Sequence, residues 1–291
     1  MKIFIIGIIL FCFIPIINKA QDADSLLNSV MGETTTYTSA TFKSTRIING
    51  HSIERMKAKQ LDVRIHHRFG ELNGGSYNLW GLDQSNVFFG LEYGITDNIM
   101  VGIGRSTFQK TFNGFTKLSI LRQSKGAHKM PISMSVYIGT DVYTIKWEDP
   151  SMKNYFTSRL SYIYQVLIAR KFNERLSLQL SPTMIHQNLV ETALDNNDSY
   201  AIGIGGRFKI TKRLSFNSEY FLGIHPGIKG VTYNPNSFSM GVDIETGGHV
   251  FQILLTNSQN MIERGFINET TGQWKHNDMH IGFNISRVFS F

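Results

Sequence analysis

Residues 176–184 read LSLQLSPTM, in which apolar or ring side chains occupy every second position and Ser, Gln or Thr the positions between. Residues 238–245, FSMGVDIE, follow the same period of two. Successive side chains of a β-strand point to opposite faces of the sheet. Each stretch therefore predicts a strand with one apolar face and one polar face.

About twelve such stretches follow one another along the chain. Most are roughly 10 residues long, which is the length that a tilted strand needs to cross the hydrocarbon layer of a membrane. Strands of soluble proteins are shorter, at about 5–6 residues. The predicted strands lie near residues 61–69, 85–95, 99–108, 115–123, 131–142, 158–172, 176–187, 199–210, 214–224, 237–246, 249–257 and 279–291.

The connections between these strands fall into two classes. If the predicted strands are numbered 1 to 12 along the chain, the connection after each even-numbered strand is short or modest. The short ones are Thr96–Asn98, Asn173–Arg175, Thr211–Arg213 and Gly247–Gly248, and the modest one is Ser124–Met130. After the odd strands the connections are long, apart from Gln109–Gly114; they are Gly70–Gln84, Tyr143–Thr157, Asn188–Asp198, His225–Asn236 and Ser258–Asp278. A soluble β-sandwich alternates in the same way but has no reason to sort its loops. The pattern predicts an all-β fold, a single transmembrane antiparallel up-and-down β-barrel with short periplasmic turns and long extracellular loops.

The start of the chain predicts export. Lys2 precedes an apolar run that extends to Ile17, and Ala20 comes just before a more polar sequence. This is typical of a secretory signal peptide over residues 1–20. We expect a periplasmic N-terminal extension over 21–59, with a short helix around Ile53–Ala58, and an outer-membrane β-barrel over 60–291. The predicted location is the cell outer membrane.

The last predicted strand ends on an aromatic residue. Met279, Ile281, Phe283, Ile285, Phe289 and Phe291 share one face, with Arg287 among them. A terminal Phe291 after an alternating strand is the expected recognition signal for barrel-assembly machinery. A charge such as that of Arg287 is tolerated near the rim of a barrel at a cost of about 0–1 kcal/mol.

Composition argues against several other classes of protein. The only cysteine, Cys12, lies in the predicted signal peptide, so a mature chain would contain no disulfide and no cysteine metal site. The formal charge of +7 is spread as single residues, which does not favour nucleic-acid binding. The histidines have no metal-ligand spacing. We therefore expect no catalytic residue, no metal site and no cofactor.

Several short motifs resemble those of a known family. They are TFKSTRIINGHS at 41–52, HRFG at 67–70, GLD at 81–83, YGITD at 93–97 and GIGRS at 102–106. The sequence resembles an uncharacterised outer-membrane β-barrel family of Bacteroidetes, domain of unknown function 5777, over roughly Thr41 to Phe291. The resemblance implies a barrel and an outer-membrane location, and it implies no known activity, substrate or catalytic residue.

The polar faces of the predicted strands supply candidate lumen-lining residues of both charges. These are Asp62, Arg64, His66, Arg68, Glu92, Lys117, Asp141, Lys171, Arg207, Lys209, Glu219, Asp243 and Glu245. Mixed charges around a pore favour a passive channel, a porin-like protein for small polar or anionic solutes. Salt-bridged side chains that fill a narrow lumen are the alternative.

Two other functions fit the same sequence. One is a non-conducting structural or docking barrel, whose N-terminal extension or long loops engage a partner. The other is an outer-membrane lipid hydrolase, which would need one of His66, His67, His186 or His280 beside a serine. The expected partners are outer-membrane lipid, the barrel-assembly machinery and a small polar solute.

Overall fold

The computed structural model describes residues 34–147, 149–151, 153–190, 195–224 and 234–291, so the predicted signal peptide lies outside the described residues. Twelve strands, β2–β5 and β7–β14, form one closed antiparallel barrel in which each strand pairs with its neighbours along the chain and β14 pairs with β2. The strands are β1 (Thr36–Tyr37), β2 (Gln60–Glu71), β3 (Ser85–Gly94), β4 (Ile99–Ser106), β5 (Thr111–Leu121), β6 (Ser124–Lys125), β7 (Ser133–Tyr143), β8 (Leu160–Lys171), β9 (Leu176–Gln187), β10 (Asp198–Lys209), β11 (Leu214–Ile224), β12 (Ser237–Thr246), β13 (His249–Thr256) and β14 (His280–Ser290). The predicted twelve-stranded antiparallel barrel is confirmed.

The remaining elements are short. Strands β1 and β6 pair with each other outside the barrel sheet. The described residues contain one α-helix, α1 (Glu263–Asn268), which lies between β13 and β14. Short 3-10 helices occupy Leu72–Gly74, Ser76–Gly81, Phe108–Lys110, Phe156–Arg159 and Trp274–His276. Among the residues described, no helix is long and apolar enough to cross a membrane.

The barrel has an apolar outer face and a polar inner face. Large apolar side chains that point outward, such as Ile103, Ile253 and Phe89, are exposed. Polar side chains that point inward, such as Arg68 and Lys117, are fully buried. This is the inverse of a soluble core, and it is the arrangement that places strands against lipid. The apolar positions of the period-two pattern therefore lie on the outer face of the barrel wall, and the polar positions lie on the inner face.

The chain between β4 and β5 differs from its prediction. Strand β5 begins at Thr111, not near residue 115, because the backbone reverses tightly through Gln109 and Lys110, which have φ values of 54° and 48°. A bulge between Ser119 and Leu121 then shifts the register of β5 against β7. An extra residue of this kind redirects the side chains that follow it. Apolar alternation alone does not reveal either feature.

The N-terminal extension also differs from its prediction. Residues 41–56 lie inside the barrel, where most of them are buried, and not outside it. The predicted helix around Ile53–Ala58 is absent, since these residues are not helical in the structure. Their backbone groups bond to the barrel instead: the carbonyl oxygen of Glu54 accepts a bond from Lys117, and the amide of Ala58 donates to Asp97. Bonds to the wall thus replace the bonds within a helix.

One glycine fixes the point where this segment joins the wall. The amide of Lys59 donates to the carbonyl oxygen of Gly94 over 2.9 Å, and a methyl group added at Gly94 would overlap the carbonyl group of Lys57. Gly114 is the matched control, because its added methyl group would meet nothing within 4 Å.

We expect Gly94→Ala to lower the free energy of unfolding by about 1–3 kcal/mol, the usual cost of overpacking, and Gly114→Ala to leave it unchanged. The measurement is the urea midpoint of the refolded protein in lipid vesicles, followed by the mobility shift of the unheated barrel on gels. Equal midpoints for the two variants would show that the close approach of Lys57 to β3 is not required.

Candidate functional site

The segment Thr41–Met56 forms a hairpin within the lumen, here named the lumen hairpin. Arg46 and His51 face each other as an antiparallel bridge, and the amide of Ile47 donates to the carbonyl oxygen of Gly50 over 2.9 Å. Asn-Gly, here Asn49-Gly50, is a favoured sequence for a tight hairpin turn. The apolar side chains Phe42, Ile47, Ile48 and Ile53 pack in one cluster with Leu167, Ala169 and Leu254 of the barrel wall.

A single carboxylate holds the tip of the lumen hairpin. Glu219 of β11 accepts hydrogen bonds from three consecutive backbone amides, those of Ile48 at 3.2 Å, Asn49 at 2.7 Å and Gly50 at 3.1 Å. Glu219 is almost completely buried. A buried backbone amide without an acceptor costs about 1–3 kcal/mol. Glu219 therefore satisfies the turn amides that would otherwise be buried without an acceptor.

Side chains from other strands bind the carbonyl groups of the lumen hairpin. The ammonium group of Lys117 donates to the carbonyl oxygens of Thr45, Ser52 and Glu54 at 3.2, 3.0 and 2.8 Å. Wall amides and a guanidinium do the same elsewhere: Gln179 donates to His51, Gln252 to Ile47, Asn284 to Ile48 and Arg207 to Thr41. These donors come from β5, β9, β10, β13 and β14. The hairpin is therefore held from all around the barrel.

Charged groups of the wall and of the lumen hairpin form one network. Arg64 donates to Asp62 at 2.7 Å and lies 3.3 Å from Glu92. Glu92 also accepts a bond from the hydroxyl group of Thr45. Arg68 donates to the side chain of Asn49 over 2.7 Å. Some of the charged side chains predicted to line the lumen therefore pair with one another, and others bind the lumen hairpin.

A second segment enters the lumen from the end that carries the long connections, called the loop end below. Residues 257–270, here named the inward loop, are mostly buried and contain α1. Phe266 of α1 packs edge-on against Phe221 with ring centroids 5.0 Å apart. Met261 and Ile262 pack with Phe88 of β3.

The two segments meet at an ion pair in the interior. Arg46 of the lumen hairpin donates to Glu263 of the inward loop over 2.8 Å, and Glu263 has no exposed surface. The hydroxyl group of Tyr137 lies 3.5 Å from the same carboxylate. A cavity of about 10 Å³ beside the hairpin, lined in part by Arg46, Arg64 and Asp243, has room for about one water molecule. The lumen is thus occluded by the chain itself.

His51 lies at this junction as a neutral side chain. Its ring packs between Phe115 and Tyr137, with centroids 4.6 and 4.4 Å away. Burial, followed by the nearby Arg46, lowers the pKa of His51 well below its ordinary value. Glu263 is 3.6 Å away and would act in the opposite direction, but Arg46 is closer to that carboxylate and already pairs with it. Burial and the surrounding cations therefore decide the charge of His51.

The predicted lumen-lining residues occupy two levels of the barrel. Asp62, Arg64, His66, Arg68, Glu92, Lys117, Asp141, Arg207, Glu219 and Asp243 are buried in the interior. Lys171, Lys209 and Glu245 are half-buried at the end that carries the short connections, called the turn end below. Glu245 pairs there with Lys43, and Lys171 with Glu174.

Sequence reasoning missed the residues that face this wall. Thr45, Arg46, Asn49 and His51 lie in the segment expected to be periplasmic, and Glu263 lies in a long loop. The Asn49-Gly50 dipeptide was a readable hairpin signal. Nothing in the pattern around Glu263 distinguishes it from the other acids of the loops.

The histidines considered for a hydrolase have other partners. His186 pairs with Asp198 at 2.7 Å, and His280 lies 2.9 Å from the carbonyl oxygen of Phe69. His66 packs against Phe88, and His67 stacks on an aromatic ring of β14. Within the described ranges these contacts are to a carboxylate, a carbonyl group and aromatic rings, not to a serine hydroxyl group. Across the same residues, no group of three or more potential ligands is arranged to hold a metal ion.

Comparison with known proteins identifies a family and several solved barrels. The model of the family described as "Membrane bound beta barrel domain (DUF5777)" matches residues 42–289. No curated protein sequence matches the chain. The structure is similar to the NanC porin, with a TM-score of 0.49 and 9% identity over 79% of this chain and 99% of that one. It is also similar to the KdgM porin, with a TM-score of 0.46 and 8% identity over 80% of this chain and 99% of that one. The toluene transporter TodX of P. putida has a TM-score of 0.35 and 9% identity over 80% of this chain and 89% of that one.

The hydrogen bonds that Glu219 accepts from the hairpin amides predict how the lumen hairpin can be released. We expect Glu219→Ala to raise the labelling rate of a cysteine placed at Ile48 by about tenfold or more, since buried amides that lose their acceptor cost about 1–3 kcal/mol. The matched control is Asp141→Ala, which removes an inward carboxylate that bonds to Asn113 of the wall. The measurement is the rate of modification by a small thiol reagent in refolded protein. Similar rates for the two variants would contradict the anchoring role of Glu219.

The neutral His51 predicts a pH dependence of the same release. Because its pKa is lowered when the lumen hairpin is docked and returns to about 6.5 when released, protonation favours the released state as the pH falls below about 6.5. The ratio of labelling rates between the wild-type and His51→Gln backgrounds should therefore rise about tenfold from pH 7.5 to pH 5.5. Dividing by the His51→Gln rate cancels the pH dependence of the reagent and of other groups. A ratio that does not change with pH would refute this assignment.

Proposed function

Because the chain belongs to the family of membrane-bound β-barrel domains, we propose that it is an outer-membrane channel for small polar solutes that its own lumen hairpin holds closed. The observation that carries the proposal is the polar attachment of the hairpin to a charged barrel wall. The short turns face the periplasm in this proposal, so the lumen hairpin enters from the periplasmic side and the inward loop from outside.

The closed conformation argues against a permanently open pore. The lumen hairpin binds to side chains of strands around the whole circumference, and the inward loop lies above it. A solute would have to displace both segments. Passive diffusion through this conformation is therefore not the proposed mode of transport.

The chemistry of the hairpin contacts favours an opening transition. Most of them are single hydrogen bonds to backbone groups, each of which contributes about 0.5–1.5 kcal/mol because water can replace it. The apolar cluster of Phe42, Ile47, Ile48 and Ile53 favours the closed state. A difference of a few kcal/mol between two such states leaves the open one populated at about 0.1–10%.

The charges exposed by release define the class of solute. The wall would then present Arg64, Arg68 and Lys117 together with Glu92 and Glu219. A lining of both signs favours small polar molecules over apolar ones. Lys171 and Lys209 at the turn end would raise the local concentration of anions at that mouth.

A second candidate is a non-conducting structural or docking barrel. The observation that favours it is the buried ion pair between Arg46 and Glu263, which joins the two occluding segments at the centre of the lumen. Separation of this pair would leave a buried charge without a partner, which is costly. A barrel that never opens would use the same contacts as permanent filling.

Conductance of refolded protein in planar bilayers separates the two candidates. We expect the wild-type protein to open rarely, and a variant in which residues 41–56 are deleted and residues 259–268 are replaced by a short Gly-Ser linker to conduct persistently, because both occluding segments are then removed and the wall that remains is polar. The matched control joins the hairpin to the wall through cysteines at Asn49 and Ser239, whose side chains are 3.0 Å apart, with a short bis-methanethiosulfonate reagent, which is bound to each cysteine through a disulfide bond that reduction cleaves. This cross-link should abolish the rare openings, and its reduction should restore them.

The opposite result supports the docking barrel. If the deletion variant folds, as shown by the mobility shift of the unheated barrel, and still does not conduct, the gated channel is refuted. Openings that persist in the cross-linked protein would equally refute the hairpin as the gate.

A further inference from the structure

The two ends of the barrel differ in exposed charge among the residues described. At the turn end the exposed cations include Lys125, Arg170, Arg175, Lys212, Arg213 and Arg287, and the exposed acids are Asp97 and Glu174. At the loop end the exposed acids Glu71, Asp83, Asp149, Asp195 and Asp198 offset exposed cations such as Arg105, Lys110, Lys146, Lys153 and Lys275. The described residues of the turn end therefore carry an excess of positive charge, and those of the loop end do not.

Two of the turn-end cations point away from the barrel axis. Arg170 on β8 and Arg287 on β14 lie on the apolar outer face, in line with side chains such as Ile168 and Ile285. Each guanidinium group lies over the ring of the next outward residue, at 5.1 Å from the centroid of Phe172 and 4.8 Å from that of Phe289. In the part of the chain that the structure describes, neither is in an ion pair with a carboxylate.

These positions match the boundary between hydrocarbon and headgroups. Arginine side chains near the end of a membrane span extend toward the polar layer, and aromatic rings are enriched at the same level. A guanidinium group that lacks a carboxylate there can bind a phosphate group through two parallel hydrogen bonds. The surrounding lysines and arginines add long-range attraction for anions.

We propose that the turn-end rim of this barrel is a binding surface for anionic phospholipids, with Arg170 and Arg287 as contacts for the headgroup phosphate. Strands β8 and β14 lie on opposite sides of the closed barrel. The contacts thus belong to a ring around the barrel and not to one pocket. The proposal concerns the lipid of the leaflet at the turn end and is independent of whether the channel conducts.

The placement favours lipid over a soluble acidic partner. A soluble protein would have to surround the barrel within the membrane plane to reach both Arg170 and Arg287. Lipid molecules reach both without this constraint. An acidic protein would instead contact the turn tips, where Lys212 and Arg213 are exposed to water.

Lipid selection by purified protein tests the proposal. The full chain is reconstituted in nanodiscs of phosphatidylethanolamine with a minority of phosphatidylglycerol, and the co-purifying lipid is counted by native mass spectrometry. Wild-type protein should retain phosphatidylglycerol in excess of its share. In the double variant Arg170→Gln/Arg287→Gln, the phosphatidylglycerol enrichment should fall about fivefold for each arginine that is replaced. Higher salt should weaken the enrichment of the wild-type protein.

The matched control is Arg105→Gln. Arg105 is also exposed on the outer face and lies 5.4 Å from the ring of Phe112, but it is at the loop end, where charges balance. Both leaflets of a nanodisc contain the same lipids, so the control has equal access to phosphatidylglycerol and should retain the wild-type enrichment. The mobility shift of the unheated barrel confirms that each variant is folded.

Three outcomes would overturn the proposal. One is unchanged enrichment in the folded double variant, and another is an equal loss in Arg105→Gln. The third is binding of poly-glutamate to the detergent-solubilised protein that depends on Lys212 and Arg213, with lipid enrichment unaffected by the double variant. That result would assign the basic turn end to a soluble acidic partner.

Discussion

The structure depends on one constraint: a backbone segment that enters a closed barrel must find partners for its amides and carbonyl groups there. Buried backbone groups without partners cost several kcal/mol in total, and the barrel strands already pair with one another. The partners must therefore be inward side chains. Glu219 binds the turn amides, and Lys117 binds three carbonyl groups. The polar inner face and the lumen hairpin therefore depend on each other for hydrogen-bond partners.

The same constraint explains why the lumen contains so many charges and so little free volume. A carboxylate buried against apolar wall residues would be costly to keep ionised. Glu92 is instead bonded to Thr45 and lies near Arg64, and Asp62 is bonded to Arg64 and Ser286. The lumen hairpin adds backbone donors and acceptors, and its cations Lys43 and Arg46 pair with Glu245 and Glu263. The cations of the basic rim differ, since they lie on the outer face and at the turn tips, away from this network.

The sequence predicts the wall much better than its contents. Alternation as regular as that of residues 176–184 depends on the two faces of one strand, so strand bounds and the inward direction of residues such as Glu219 and Lys117 follow from local pattern. The start of β5 does not, because it depends on positive φ values at Gln109 and Lys110. The partners of the lumen charges do not follow either. Ser44, Thr45 and Asn49 have the composition of a loop, and only the closed barrel gives their backbone groups an interior place to bind.

The central pair between Arg46 and Glu263 links the two occluding segments energetically. If the inward loop alone moved away, Arg46 would keep only Glu92, whose nearest carboxylate oxygen is 3.9 Å from its guanidinium group. If the lumen hairpin alone left, Glu263 would stay buried beside Tyr137 without its cation. Either half-open state breaks the Arg46–Glu263 ion pair while one of its groups stays among the remaining occluding residues, whereas in the proposed fully open state both groups reach water. The cost of a half-open state is of the order of 3–5 kcal/mol for one broken buried pair. A gate of the proposed kind therefore opens by concerted displacement of the two segments.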